Sequence, residues 1–250
     1  EYGRKRRTAI ENAEEAVYEE KKMEEMEVCF LMDRFGYMKL IDKNAYERNK
    51  EAVHNENKYV FNCMNTDKIC IFTDTGKMHT IKAVDIPLGR FRDKGKPVDN
   101  LSNYDSSQER MLYVAPVGQL RSDRLLFVTK TSMCKLVEGA EFDVAKRTIA
   151  STKLADEDEL IFIGSASEME QIVLQSHGGC FLRFLTQEVS TMKKTALGVR
   201  GMKLADDDYL EHAYLLAGHQ EYTISYHDKE YALNKVRLAK RDTKGIKPRI

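Results

Sequence analysis

No stretch of the 250 residues approaches the roughly 18 consecutive apolar residues that a membrane-spanning helix needs, so no such span is expected. Net charge is absent as well, with 40 Lys and Arg against 40 Asp and Glu. Apolar residues make up 42% of the chain and occur throughout it, which excludes global disorder and suffices for a sizeable core in one large all-β domain or two ordinary ones. The few cysteines, Cys29, Cys63, Cys70, Cys134 and Cys180, are odd in number and scattered without C-x-x-C spacing. They indicate neither a zinc site nor a disulfide framework, and read as reduced thiols, mostly in strands, of a cytosolic protein. The N-terminus, EYGRKRRTAIENAEEAVYEE, has neither the apolar core of a signal peptide nor an initiator Met, and reads as the start of a fragment. G-x-G-x-x-G, Walker A, nucleophile-elbow and H-E-x-x-H motifs are missing, leaving no sequence sign of an enzyme.

Residues 1–27 hold nine glutamates and six basic residues, with Thr8-Ala9-Ile10-Glu11 in the form of a capping box and Ile10, Ala13 and Val17 at helical spacing. They are expected to form a short helical connector. From Val28 the period switches to strands. Five segments share an apolar strand, a tight polar turn and a second strand: 28–41, 69–82, 125–137, 172–185 and 213–226. Their turns fall near residues 36, 76, 132, 178 and 220, a spacing that signals arrays or propellers. Shorter strands are expected at 59–64, 110–117 and 160–166. Lys153-Leu154-Ala155-Asp156-Glu157-Asp158 recurs fifty residues later as Lys203-Leu204-Ala205-Asp206-Asp207-Asp208, ahead of an apolar strand each time. Such repetition of a small antiparallel sheet suits a disc of five blades over residues 28–250.

The two acidic triplets could bind a divalent cation but lack the EF-hand pattern, and solvated turns are the simpler reading. His212, His219 and His227 have no partner pattern of a triad. Basic residues recur after each hairpin: Arg90, Arg92, Lys94 and Lys96 in GRFRDKGK; Lys146 and Arg147 in DVAKRTIASTK; Lys193, Lys194, Arg200 and Lys203 in MKKTALGVRGMK. Residues 229–250 add eight basic and two acidic residues. A charge recurring at the same point of each repeat traces a belt that could neutralise successive phosphates of duplex DNA without reading bases. A scattered solvated surface on a neutral chain is the plainer alternative.

IFTDTGKMHTIKAVDIP with GRFRDKGKPVDNL, EFDVAKRTIASTKL and TALGVRGMKLADDD resemble, in order, successive repeats of the C-terminal domain of bacterial type IIA topoisomerase A subunits. EYGRKRRTAI resembles the segment closing that family's breakage-reunion core. The resemblance implies a β-pinwheel, here all-β and five-bladed, whose basic perimeter binds and bends duplex DNA and steers the transported segment. It implies no catalytic residue and no metal or other cofactor in this stretch. The parent would be an ATP-dependent, Mg-using topoisomerase with its catalytic tyrosine upstream, partnered by its own core and an ATPase B subunit in the bacterial cytoplasm, at the chromosome and away from membranes. AYERNKEAVHNENKYVF, where gyrase A subunits carry a QRRGGKG-like box, has only Arg48 and Lys50 between Glu47 and Glu51. That departure favours the topoisomerase IV type. A gyrase-type wrapping domain and a protein-interaction propeller, marked by an exposed apolar or aromatic patch rather than a basic edge, are the alternatives.

Overall fold

The computed structural model describes residues 24–218 and 220–248. These form seventeen strands in five antiparallel sheets, the blades. The first hairpin, β1 (Glu27–Asp33) and β2 (Tyr37–Asp42), continues into helix α1 (Lys43–Glu56) and returns as β3 (Asn57–Met64) beside β1. The second, β4 (Lys68–Thr73) and β5 (Lys77–Lys82), sends β6 (Lys96–Pro97) back to pair with β2, then returns as β7 (Met111–Pro116) beside β4. The third repeats this move. After β8 (Arg124–Thr129) and β9 (Met133–Glu138), β10 (Thr148–Ala150) pairs with β5 and β11 (Leu160–Ser165) with β8. After β12 (Gln171–Ser176) and β13 (Phe181–Leu185), β14 (Val199–Arg200) pairs with β9 and β15 (Leu210–Leu216) with β12. The last hairpin is β16 (Thr223–Tyr226) and β17 (Lys229–Ala232), after which Ile246 bridges to Phe181 of the fourth blade. Each of the first four blades therefore takes its outer edge from the segment that follows the next blade's hairpin. The fold has the five blades expected from the repeats and the strand exchange of the pinwheel that the resemblance implies.

Central strands read as unbroken apolar runs because both of their faces are buried. On β1, Val28, Phe30 and Met32 enter the core shared with the second blade, while Cys29 and Leu31 face α1. On β4, Ile69 and Ile71 face back to the first blade, and Cys70 and Phe72 face forward to the third. On β8, Leu125 and Phe127 face back, and Leu126 and Val128 forward. The strand period of two thus divides each run between two successive cores, and each fully buried large side chain contributes about 1.5–3 kcal/mol. The stack is finished differently at its ends. Val53 of α1 is fully buried against the outward face of the first blade, with Ala45 and Tyr46 beside it. On the fifth blade Tyr226 and Tyr231 turn inward, leaving Thr223, Ser225, Lys229 and Glu230 exposed.

Four hairpins turn identically. Gly36, Gly76, Ser132 and Gly179 occupy one register position, with φ of 82°, 74°, 73° and 78°. Glycine enters this left-handed region without the Cβ clash that Ser132 bears. The fifth hairpin departs from expectation. Residues 213–216 are not its first strand; they belong to β15 in the fourth blade, and the turn lies at His227-Asp228 (φ 50° and 59°) instead of near 220. Ala217-Gly218 carries turn chemistry but joins two blades, because every repeat needs an inner strand after its crossover. Helix α1 was not expected either. Asp42 caps it by accepting from the Ala45 amide at 2.8 Å. The expected connector over 1–27 lies outside the described residues except for its last four, of which Glu27 opens β1.

Candidate nucleic-acid interface

The basic motifs lie on the crossovers that carry an outer strand from one blade to the previous one. Parallel bridges Leu40–Leu88, Leu136–Thr191 and Arg183–Leu238 fix the mutual register of the first, third and fourth crossovers. Arg90 then corresponds to Lys193 and Lys240, Lys94 to Leu197 and Lys244, and Gly95 to Gly198 and Gly245. The three glycines seat the crossover on the hairpin. A Cβ on Gly95 would collide with Met38 O, on Gly198 it would stand 2.7 Å from Cys134 O, and on Gly245 3.0 Å from Phe181 O. The second crossover, after the third hairpin, is shorter and presents Lys146 and Arg147 just before β10. Four basic turns thus follow one another along the outer edges of blades one to four. Sequence reasoning did not single out Lys240, Arg241 and Lys244 among the basic residues of 229–250, although Arg241-Asp242-Thr243-Lys244-Gly245 echoes Arg92-Asp93-Lys94-Gly95.

Nine of the ten expected contact residues are exposed, and Lys194 is half-buried. Among the described residues, Arg90, Arg92, Lys94, Lys96, Lys146, Arg147 and Lys203 form no ion pair; Lys94 lies over the Tyr37 ring at 4.9 Å. The other three are engaged within the protein. Lys193 pairs with Glu141 at 3.4 Å, and Lys194 Nζ donates to Glu141 O at 2.9 Å. Arg200 forms a bidentate pair with Asp242, whose carboxyl is held below the usual range by hydrogen bonds from that guanidinium. The structure therefore presents the residues of the first and second crossovers as free cations, and does not so place Lys193, Lys194 and Arg200.

A positioning group sits under each of the first three turns. Lys39, His79 and Lys135 share one register position on the second strand of their hairpins. Lys39 Nζ donates to the carbonyls of Phe91 and Asp93. Lys135 Nζ donates at 2.7 Å to the carbonyls of Lys194 and Ala196, the equivalent pair. Burial, opposed by Glu141, pulls the Lys135 pKa down to about 8. His79 instead joins Thr148 Oγ1 at 3.2 Å and Glu109 Oε2 at 3.0 Å.

The acidic triplets brace turns. Asp158 accepts from the Thr131 amide at 3.1 Å and its hydroxyl at 2.6 Å, and Asp208 from the Gly178 amide at 2.9 Å. The described residues bring together no group of three or more His, Cys, Asp or Glu able to hold a metal ion. The cysteines are free thiols, and burial pushes Cys63, Cys70 and Cys134 up to about 12, far from reactivity at neutral pH. No helix among the described residues is long and apolar enough to cross a membrane.

Three solved domains share the fold. A C-terminal domain of DNA topoisomerase IV superposes with a TM-score of 0.78 at 22% identity, covering 89% of this chain and 72% of that one. The C-terminal domain of E. coli ParC gives 0.70 at 13%, covering 89% and 94%. A DNA gyrase A C-terminal domain gives 0.59 at 18%, covering 88% and 76%. In sequence, the DNA gyrase A protein of Clostridium acetobutylicum is 28% identical over 80% of this chain and 25% of its own length. That of Mycoplasma genitalium is 26% identical over 99% and 31%. The chain spans about a quarter to a third of the length of these curated relatives. Residues 67–106, 123–167 and 170–217, more than half of the chain, match the family described as DNA gyrase C-terminal domain, beta-propeller. With its exchanged strands, its repeated crossovers and these matched blades, the chain belongs to that family, the C-terminal β-pinwheel of type II topoisomerase A subunits.

Proposed function

We propose that residues 28–250 bind and bend duplex DNA through its backbone along the crossover turns, with residues 1–27 as the connector to the core of the same polypeptide. The carrying observation is that the exposed, unpaired cations Arg90, Arg92, Lys94, Lys96, Lys146 and Arg147 stand on successive crossovers of adjacent blades. Lys203 adds a free cation, and Lys240 and Lys244 extend the series. Lys193, Lys194 and Arg200 contribute on release of their intramolecular partners. Contacts of this kind act through counterion release and carry no base information.

The module serves an ATP-hydrolysing, Mg-using type II topoisomerase of the bacterial cytoplasm, whose catalytic tyrosine lies in the core and whose ATPase belongs to a partner B subunit. It steers the segment to be transported and is itself non-catalytic. The topoisomerase IV type is favoured because α1 occupies the stretch where a glycine-rich basic loop would let the backbone approach a phosphate. A labelled duplex of about 40 base pairs, titrated at several salt concentrations by fluorescence anisotropy, tests the reading. A slope of log affinity against log salt near −4 or steeper is expected. Reversing Arg90, Arg92, Lys94, Lys146 and Arg147 to Glu should flatten it by about one unit per lost contact. An unchanged slope in that variant would refute the rim path.

A further inference from the structure

The turn of the first hairpin breaks the pattern of its equivalents. The register position held by Thr75, Thr131 and Gly178 in the next three blades is Phe35 in the first. Its side chain is 78% exposed, more than any other large apolar residue that reaches solvent among those described. The turn fixes the backbone that carries it, since Asp33 Oδ1 accepts from the amides of Phe35 at 2.8 Å and Tyr37 at 2.9 Å. A phenyl ring in water at a braced turn does nothing for folding, and the equivalent turns fold with polar residues or glycine.

Its surroundings select the kind of partner. Phe35 lines two adjoining clefts of about 310 and 200 Å³. Lys94 and Gly95 of the first basic crossover line one, and Arg34, Lys58 and Arg110 line the other. The Arg34 guanidinium lies 5.9 Å from the Phe35 ring centroid. The carboxylates nearby are engaged in holding loops: Asp33 as above, Asp93 on the Arg90 amide at 2.7 Å and Asp99 on the Ser106 amide at 2.8 Å. Among the described residues Arg34, Lys58 and Lys94 form no ion pair, whereas Arg110 approaches Asp74 at 3.6 Å. Around the ring five basic side chains, Arg34, Lys39, Lys58, Lys94 and Arg110, face three carboxylates, Asp33, Asp93 and Asp99, and an apolar protein partner would leave that excess of positive charge unmatched. A nucleic-acid duplex would satisfy those cations with phosphates and offer the ring a base step.

We propose that Phe35 is an apolar wedge for duplex DNA, inserted at a base step where the rim path meets the first blade, with Arg34, Lys58 and Lys94 holding the flanking phosphates. This rests on the DNA-binding reading above and adds to it a fixed point at which the duplex is unstacked and kinked. Pyrimidine–purine steps are the preferred entry because they unstack most easily. The wedge turns passage along a smooth basic edge into a bend of defined position.

The full 250-residue chain, bound to an end-labelled duplex of about 40 base pairs carrying 2-aminopurine at successive steps, provides the test. Energy transfer reports bending and 2-aminopurine fluorescence reports unstacking. The wild-type chain should bend the duplex and brighten the probe at one step. Phe35→Ala should abolish the brightening, lose most of the bend and weaken binding about ten-fold, as for loss of one stacked base. The salt slope should not change, because no charge is removed, and Phe35→Trp should keep both signals. Phe35 is exposed enough for the variants to fold, and matching thermal melts would verify this. If Phe35→Ala bends and brightens the duplex like the wild type, the wedge is wrong and the rim reading survives. If the wild-type chain fails to bind at 50 mM salt, both fail together.

Discussion

Glu109 shows how one buried carboxylate joins two parts of a blade. It accepts from His79 at 3.0 Å, from Thr75 at 3.2 Å and from Lys77 at 3.2 Å, while its own carbonyl accepts from the Tyr104 hydroxyl at 2.9 Å. The loop before β7 is thereby tied to the β4–β5 hairpin. Burial works to raise the Glu109 pKa, but the hydrogen bonds from His79, the threonine hydroxyls of the turn and Lys77 outweigh it and bring the carboxyl from 4.5 down to about 2. A folded-state pKa below the unfolded one gives stability that is complete above about 4.5 and is lost as pH falls toward 2. Glu109→Gln should therefore lower stability at pH 7 by about 2–3 kcal/mol and flatten its decline between pH 4.5 and 2. Urea unfolding of both chains at pH 7, 4.5 and 3 measures this, and parallel pH profiles would count against it. The sequence marked this loop only as a gap between strands. A buried carboxylate held through tertiary contact leaves no periodic trace.

The crossover is the element on which fold and function coincide. Its glycine must have no side chain, because the exchanged strand lies directly on the preceding hairpin. At Gly198, φ is 107° and a Cβ would stand 2.7 Å from Cys134 O, so both conformation and contact oppose any larger residue. Gly198→Ala should cost about 1–3 kcal/mol and loosen β14 from β9. It should also weaken DNA binding although no charge is touched, because Lys135 would lose its grip on the carbonyls of Lys194 and Ala196. Chemical unfolding and anisotropy on the same variant check the two effects, and a stable variant with looser β14 but unaltered binding would separate them. The hairpins themselves were legible in the sequence, since strands buried on both faces leave apolar runs bracketed by turn residues. The crossovers were visible only as recurring charges. Their register depends on pairing with another blade, which no local pattern records. For the same reason Lys240 and Lys244 merged into a basic tail, and nothing in the sequence singles out Lys39 and Lys135. Helix α1 was missed because its apolar stripe is short, Ala45, Tyr46 and Val53, and a kink at Asn49 (φ −124°) interrupts it.

Across the whole molecule, strand exchange makes each blade depend on chain that lies far along the sequence. The outer edge of the fourth blade is completed by residues after the fifth hairpin, through Phe181–Ile246 and Arg183–Leu238 and through the Ala239 amide donating to Arg183 O at 2.8 Å. The fifth blade, with two strands and a polar outer face, depends on those residues less, because Leu233 and Val236 already anchor it to Val173, Phe181 and Leu216. Ending the chain after Val236 should thus leave β16 and β17 largely protected while exposing the edge of β13, some fifty residues upstream. Amide hydrogen exchange should show lost protection at Phe181 and Lys203, whose amides donate to the carbonyls of Ile246 at 2.8 Å and Thr243 at 3.0 Å, before any at Thr223–Tyr226. The same truncation removes six basic residues, Lys240 and Lys244 among them, and frees Arg200 from Asp242, so losing those two contacts and gaining one should flatten the salt slope of DNA binding by about one unit. A slope that falls while β13 stays protected would mean that the tail supplies charge alone. Protection lost only at β16 and β17 would mean that the blades are independent units and that exchange does not stitch them. Loss at β13 with the flatter slope is the outcome the connectivity requires, because the segment that bears the cations is the same one that closes the preceding blade.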